Sequence, residues 1–513
     1  MMNRSPARLL RGCASVIAFA AVWSAPSHAQ TGFQGTPSVI TGSASINPGR
    51  DTITVNTAET VINWTPSDTS GTGVVDFLPA GNAAQFQTNV SVPFSDYTVL
   101  NRILPVDGGG LPVSRIVALN GTVQSSLFGS TGGKIWFYAP GGIIAGPSSV
   151  FNVGSLVLTS NDIDTTGGLY GSNGEIRFRG TAGSTSAVEV QSGAQINALA
   201  AGSYVALVAP RVVQAGTVNV DGSVAYVGAE EADVRINSGL FDITITAGTG
   251  DANGVVHSGT TTGPGSSGIG DSQRIYMVAV PKNNALTMLL SGSMGYTPAV
   301  SATSDDNGVV LSAGFDVAGG FADFAPNGTQ GGNASGHILV QSGSGTPTHF
   351  LNSVTASAEN GIALNAAQFG SIVADGDMIL TARNGAKGGT IDLLTFGGTG
   401  DAATNGQISI AGSLGLNANG LGNAGVSAPP LIGEDANGGS INLIATGGLI
   451  QAASLNASAS GYAGFGSDRS GNATGGAIAL SALTAAGPSG AEGGTLRFGS
   501  TTLDASAAMG FQS

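Results

Sequence analysis

The sequence predicts an all-β protein that folds as a right-handed parallel β-helix. The chain has 513 residues, of which 83 are glycine, 9% are charged and 41% are hydrophobic. The hydrophobic residues come in many short β-type runs separated by Gly, Asn and Pro, without the 3.6-residue spacing of helices. So much glycine disfavours helices, and the hydrophobic fraction argues against disorder. A β-helix needs only short strands and tight turns, which is what these runs supply.

The N-terminus, residues 1–29, is predicted to be an export signal. Three arginines precede the apolar run 14–23, which is too short to span a bilayer and is followed by small residues. Cleavage is expected between Ala29 and Gln30. The only cysteine, Cys13, would leave with the signal, so the mature chain is expected to lack disulfides. No later apolar run is long enough for a membrane span, which predicts a soluble or surface-associated chain.

A strand, a sharp turn and a second strand are predicted within residues 135–147. The turn consists of Ala139, Pro140, Gly141 and Gly142. Proline fixes φ and glycine supplies positive φ, so turn geometry is expected to be the main role of this segment. On that interpretation, Asn at positions 139 and 141 is expected to be tolerated and Val at 141 and 142 is not.

Four segments between about residues 45 and 230 form an ordered series of motifs: 62–64 (Ile-Asn-Trp), 100–103 (Leu-Asn-Arg-Ile), 135–147 and 202–213. This series resembles the N-terminal secretion domain of filamentous-haemagglutinin-like exoproteins, the two-partner secretion family. The chain departs from the family pattern at positions 139–142, where the family usually has Asn-Pro-Asn-Gly.

The resemblance implies an N-terminal secretion-domain cap on the β-helix. It also implies a partner, an outer-membrane β-barrel transporter whose periplasmic domains recognise the cap by pairing with an edge strand. The residues that would form the recognition motif are Asn63, Trp64, Asn101 and Arg102, together with the turn at 139–142. Trp64 and Trp136 are expected to be buried. The distal part would present a polar surface for adhesion, and the chain would be secreted or held at the surface of a Gram-negative bacterium.

The predicted organisation is a secretion domain at 30–250, a connection rich in Gly, Ser and Thr at 251–273, and a β-helical repeat region at 274–513. Strand signals vanish in the connection. Because the chain stops directly after a repeat, a truncated exoprotein is one interpretation.

Internal repeats are evident in the C-terminal half, where a Gly-Gly pair precedes a β-run at residues 388, 438, 475 and 493. The gaps of 50, 37 and 18 residues suggest multiples of one unit. A second series, Leu-Asn-Ala or Leu-Asp-Ala, begins at residues 416, 455 and 503. Rungs of about 18 to 25 residues would give on the order of twenty rungs.

No catalytic, cofactor or metal site is predicted. The three histidines beyond the signal have no partner at metal-ligand spacing, and the calcium-like sequence 397–401 is interpreted as a turn. The acidic group 230–233, near Arg211 and Arg235, is the best candidate for polysaccharide cleavage, although a solvated edge is the preferred interpretation. A net charge of −14 argues against nucleic acid and anionic membranes as partners.

Two other classes of protein remain open. An autotransporter passenger would share the β-helix, although no series of barrel strands precedes Ser513. A polysaccharide-degrading β-helix enzyme is the second alternative.

Overall fold

A computed structural model describes residues 32–88, 94–267, 271–298, 307–324, 330–345, 347–397, 405–425, 431–487 and 490–509. The predicted signal, with Ala29 and Gln30, lies outside these residues. Throughout the described part the chain forms strands and turns but no helix, and it coils into a parallel β-helix, as the sequence predicts. It follows that none of these residues belongs to a long apolar helix of membrane-spanning type.

The coil stacks its strands into three ladders. The strands that belong only to the first ladder are Thr52–Val55, Ala83–Thr88, Thr122–Leu127, Val150–Asn152, Thr260–Thr262, Ser293–Met294, Thr348–Phe350 and Ser371–Ala374. The strands that belong only to the second ladder are Glu59–Pro66, Thr98–Ile103, Lys134–Tyr138, Ser155–Thr159, Gln273–Ala279, Asn307–Ala313, Val354–Ala358 and Met378–Asn384. Long strands shared by both are Gln195–Ala209, Thr217–Gly228, Gln407–Asn417, Leu449–Ser458 and Thr495–Asp504. The third contains Val75–Leu78, Val117–Leu119, Ile143–Ala145, Ala187–Val190, Arg211–Gln214, Val255–His257, Ala285–Leu290, Ser335–Ser342, Gly361–Ala366, Thr390–Phe396, Ser440–Thr446 and Ala477–Gly487, with Gly490–Gly493 as an antiparallel extension.

Smaller strands complete the coil. At the N-terminal end, Gly35–Thr41 and Ala44–Ile46 pair antiparallel with the first strands of the second and first ladders and cover the end of the core. Ser130–Thr131 forms a hairpin with the strand before it. The remaining short strands are Lys387–Gly388, Ala436–Asn437 and Ala473–Thr474, and a three-stranded sheet of Gly420–Leu421, Gly461–Ala463 and Ala507–Met509.

The core is an aliphatic column that passes from rung to rung inside the coil. Directly paired residues of the second ladder form it, and all are buried: Val99, Ile135, Leu156, Val205, Val224, Ile275, Val309, Val354, Met378, Leu414 and Leu455. Aliphatic side chains thus stack above one another from rung to rung, as a parallel β-helix requires. Each rung buries its apolar face only against its neighbours, so the stack stabilises itself cooperatively.

The predicted rung length of about 18 to 25 residues is wrong for most rungs. One rung advances from Val205 to Val224 and another from Val224 to Ile275, so rung length varies from about 20 to about 50 residues. The described chain therefore makes about thirteen rungs rather than twenty, because loops of different length leave the coil between strands.

Three of the four Gly-Gly repeats lie on consecutive rungs, since Ile391, Ile441 and Ile478 pair directly. The fourth belongs to a different ladder, where Leu496 pairs with Ile450. The gaps of 50 and 37 residues are thus single rungs with loops of different length. In the second series, Leu416 and Leu503 both pair with Ala457 and so occupy the same position on their rungs. Leu455 lies two residues before Ala457, on the same face of the strand.

The segment 251–273 continues the coil. It contains the strands Val255–His257 and Thr260–Thr262, which pair with strands on both sides in the third and first ladders. The core therefore passes through the expected connection without a break, and the boundary between secretion domain and repeat region stays a prediction.

A six-stranded antiparallel sheet, which the sequence analysis does not predict, covers the outside of the second ladder. Its strands are Asp162–Ile163, Glu175–Arg179, Glu231–Asn237, Leu240–Ala247, Asp316–Ala318 and Phe321–Asp323. Between the sheet and the coil lies a second hydrophobic core that includes Leu100, Trp136, Phe178, Phe241 and Tyr276. The second ladder is consequently apolar on both faces along this stretch.

Candidate functional site

Three of the sequence motifs lie on consecutive strands of the second ladder. Ile62 pairs with Asn101, and Asn101 pairs with Phe137, so segments that are far apart in sequence become direct neighbours. The fourth motif contributes Leu207 two rungs further on, through Leu158. The motif residues therefore form one continuous patch of the coil.

Asn101 joins three rungs from inside the coil. It points to the same side as Val99 and Ile103, which belong to the main core, and it is fully buried. Its Oδ1 accepts a hydrogen bond of 3.0 Å from the indole Nε1 of Trp64, and its Nδ2 donates one of 3.2 Å to the carbonyl of Trp136. Burying an amide is costly unless it is hydrogen-bonded, and Asn101 meets this requirement with motif residues alone.

Trp64 belongs to an aromatic cluster at the N-terminal end of the main core. Its ring lies edge-on to Phe33 and Phe77, with centroid distances of 5.0 and 5.7 Å, while Phe33 and Phe77 stack at 4.9 Å. The burial predicted for Trp64 is confirmed. A large aromatic plug fits the place where the coil begins and has no earlier rung to pack against.

Arg102 points outward and attaches the coil to the covering sheet. Its Nη2 lies 2.9 Å from Asp162 Oδ1 and donates a hydrogen bond of 2.7 Å to the carbonyl of Ile163. Burial raises the pKa of Asp162, and Arg102 opposes that rise. Burial also raises the pKa of the nearby Tyr138 to about 12, so this phenol stays neutral.

Asn63 faces outward beside Arg102 and is half-buried. Its Oδ1 is buried and has no hydrogen-bond partner among the residues that the structure describes. Asn63 is thus the one polar motif residue with an unmet acceptor in the described fold.

Trp136 is also buried, as predicted, but in the second core. Its Nε1 donates a hydrogen bond of 3.0 Å to the hydroxyl of Tyr204, in the fourth motif, and its ring meets Tyr170 edge-on at 5.2 Å. Burial raises the pKa of Tyr204 well above its ordinary value. Together with Asn101 and Trp64, these bonds connect all four motifs.

The turn at Ala139, Pro140, Gly141 and Gly142 is closed by a hydrogen bond of 3.0 Å from the Gly142 amide to the Ala139 carbonyl. Gly142 has a φ of +107°, a conformation that favours glycine. A Cβ on Gly141 would lie 2.3 Å from the carbonyl oxygen of Arg115, and one on Gly142 would lie 2.5 Å from that of Ala187. The turn is therefore held between the backbones of the rungs on either side.

The expectation that Asn is tolerated at positions 139 and 141 is wrong. Ala139 is fully buried in the main core, where an amide would have to be desolvated, and position 141 has no room for any side chain. Close backbone approach, more than turn type, determines the residues here.

Two of the three carboxylates in the acidic group 230–233, the candidate for polysaccharide cleavage, form ion pairs. Glu230 is buried and lies 2.7 Å from Lys282 Nζ, and Asp233 lies 2.6 Å from Arg179. The described residues contain no group of three or more His, Cys, Asp or Glu side chains able to hold a metal. Most of the calcium-like sequence, residues 398–401, lies outside the described residues.

The roles of Tyr204, Tyr170 and Asp162 depend on the covering sheet and are not evident from the sequence. A signal for that sheet is present. Segments 175–179, 231–237 and 241–246 mostly alternate apolar and polar residues, as half-buried antiparallel strands do. By contrast, runs such as 135–138 and 204–209 are continuously apolar, which is typical of strands buried on both faces.

Comparisons with known proteins find no matching sequence family but do find solved structures to which the chain is similar. No family model matches the chain, and no curated protein sequence matches it. The solved structure of the HMW1 secretion domain from Haemophilus influenzae is similar with a TM-score of 0.39 and 15% identity, covering 92% of this chain and 100% of that one. The filamentous hemagglutinin secretion domain is similar with a TM-score of 0.33 and 13% identity, covering 75% of this chain and 100% of that one. Both of these structures are secretion domains.

Proposed function

We propose that the chain is an exported exoprotein of the two-partner secretion type, with a non-enzymatic role. Its N-terminal part is recognised by a dedicated outer-membrane transporter, and its coil carries the surface used outside the cell, as an adhesin. The observation that supports this proposal most strongly is the hydrogen-bonded series Trp64, Asn101, Trp136 and Tyr204, which links all four secretion-domain motifs. Four short motifs that matched by chance would have no reason to meet in this way.

Burial of the motif residues bears on how recognition occurs. Trp64, Asn101, Ala139 and Gly142 are buried in the folded chain and offer a partner no surface. A transporter that recognises these residues therefore binds the chain before it folds. At that stage the strands are extended and unpaired, and they can add to the edge of a sheet in the transporter. Folding outside the membrane then hides the motif, which makes export effectively one-way.

Transporter dependence tests the proposal. The full chain is expressed in a Gram-negative host with and without the transporter sought in the neighbouring gene, and the medium and periplasm are assayed separately. The proposal expects the chain in the medium only when the transporter is present. Release without it, or retention with it, contradicts the proposal.

A further inference from the structure

A cleft of about 390 Å³ opens on the outer face of the first ladder, away from the motif patch. Its floor is a column of amide side chains on successive rungs, each paired directly with the next: Gln85, Gln124, Asn152 and Asn197. Asn197 Nδ2 donates a hydrogen bond of 2.9 Å to Asn152 Oδ1, which orients both amides. Such a column offers donors and acceptors at the rung spacing of about 4.8 Å.

The walls of the cleft add apolar surface to this polar floor. Leu199 lies on one side and is half-exposed, and the hairpin of Thr122–Leu127 with Ser130–Thr131 lies on the other. Phe128 stands at the tip of that hairpin, at the rim of the cleft: it is not itself a lining residue, but it adjoins Gly129, which is. The Phe128 ring is also half-exposed.

Phe128 adopts a backbone conformation that does not suit it. Its φ is +51° and that of Gly129 is +87°, the pattern of a two-residue hairpin turn in which Asn-Gly is preferred. A bulky residue at positive φ is strained, and Phe128 is not repaid by burial. A contact with something outside the chain would account for the ring in this place.

We propose that this cleft binds an extended, uncharged glycan. Sugar hydroxyls are both donors and acceptors and match the amide column, while the C–H faces of pyranose rings pack against Phe128 and Leu199. None of the described residues that line the cleft carries a charge. The chain has a net charge of −14, which disfavours glycans rich in uronate or sulfate. The inference is independent of export, because it concerns the folded surface.

Titration calorimetry on the purified mature chain tests it, with linear β-1,4-linked hexasaccharides of glucose, mannose and xylose and a galacturonate hexamer as the charged control. We expect at least one neutral hexamer to bind and the galacturonate to bind at least about tenfold more weakly. No binding by any neutral hexamer, or equal binding by the galacturonate, overturns the proposal.

Phe128→Asn isolates the ring, because Asn suits the turn better than Phe does and the fold is retained. We expect it to weaken binding about tenfold with no loss of thermal stability. Phe369→Asn is the matched control, since Phe369 also has a positive φ, of +63°, and is also half-exposed, but it precedes Ser371–Ala374, five rungs beyond the strand of Asn197. Gln124→Ala should weaken binding as well, whereas equal binding by the two Phe variants contradicts the assignment.

Discussion

At the scale of single residues, the buried side chain of Asn101 forms hydrogen bonds with polar groups of neighbouring rungs inside the coil. Its side chain accepts a hydrogen bond from the Trp64 indole and donates one to the Trp136 carbonyl. Removing this side chain therefore leaves both buried groups without this hydrogen-bond partner. The sequence draws attention to this Asn, because its segment resembles a family motif. It cannot show that the side chain points inward, because that depends on which face of the strand the core occupies.

Asn101→Ala is expected to lower the free energy of unfolding by about 1 to 3 kcal/mol, because a buried indole donor loses its acceptor. Denaturant unfolding of the purified chain measures this change. Unchanged stability would mean that Trp64 Nε1 finds another acceptor and that Asn101 has no structural role.

His257 provides a residue-scale test of the interior. It is buried, with Nδ1 2.8 Å from the Ser291 carbonyl and Nε2 2.9 Å from the Thr261 hydroxyl, which a neutral ring satisfies. Burial lowers the pKa of His257 from 6.5 to about 4, against the opposing effect of Ser291. As pH falls from 6.5 to 4 the unfolded chain takes up the proton first, so this contribution to stability is lost in that window.

The stability advantage of the wild type over His257→Gln should therefore shrink by about 2 kcal/mol between pH 7 and pH 5. Glu359 gives a control of opposite sign, since burial raises its pKa from 4.5 to about 7. Its folded form holds the proton longer than the unfolded chain does, so its contribution is lost as pH rises from 4.5 to 7. The stability of Glu359→Gln relative to the wild type should therefore increase as pH rises from 4.5 to 7. If the stability difference between either variant and the wild type does not change with pH, the buried environment described for that residue is contradicted.

At the scale of elements, the turn at 139–142 is predictable from the sequence only in part. The strand, turn and strand are correctly predicted from the Pro-Gly-Gly sequence. The need for glycine at 141 is not, because it arises from Arg115, on the neighbouring rung. The covering sheet is missed for a similar reason, since what packs on the outer face of a strand is decided by residues distant in sequence.

Gly141→Asn should sharply reduce the yield of folded chain, because its Cβ would meet the Arg115 carbonyl oxygen. Gly183→Asn is the matched control: Gly183 has a φ of +75°, a Cβ there would have no neighbouring atom within 4 Å, and Asn tolerates that conformation. Soluble yield and thermal unfolding of the two variants give the comparison. Equal yields would show that the rungs separate enough to admit a side chain.

At the scale of the whole molecule, the fold class follows from composition and short β-runs, but the rung count does not. Loops leave the coil between strands without changing the core, so sequence spacing overestimates the number of rungs. About thirteen rungs at about 4.8 Å each give a coil about 60 Å long.

The purified mature chain is expected to be an elongated monomer dominated by strand, because rungs bury their apolar faces only against one another. Circular dichroism and small-angle scattering measure these properties. A helical spectrum or the scattering profile of a compact sphere would contradict the coil.

In the proposed function, the N-terminal motif directs export of the chain through a transporter. The most direct test compares Asn101→Ala with Arg102→Ala in one chain against Asn417→Ala with Asn419→Ala in another. The second pair is a matched control, because Asn419 is a buried amide that accepts hydrogen bonds from Ser458 and Ser460 in a distal rung. Both chains are expressed with the transporter, and secreted protein is quantified beside the thermal stability of each purified variant. We expect much less secreted protein for the Asn101 and Arg102 chain than for the control chain at comparable stability, and equal secretion of the two would contradict the proposed function.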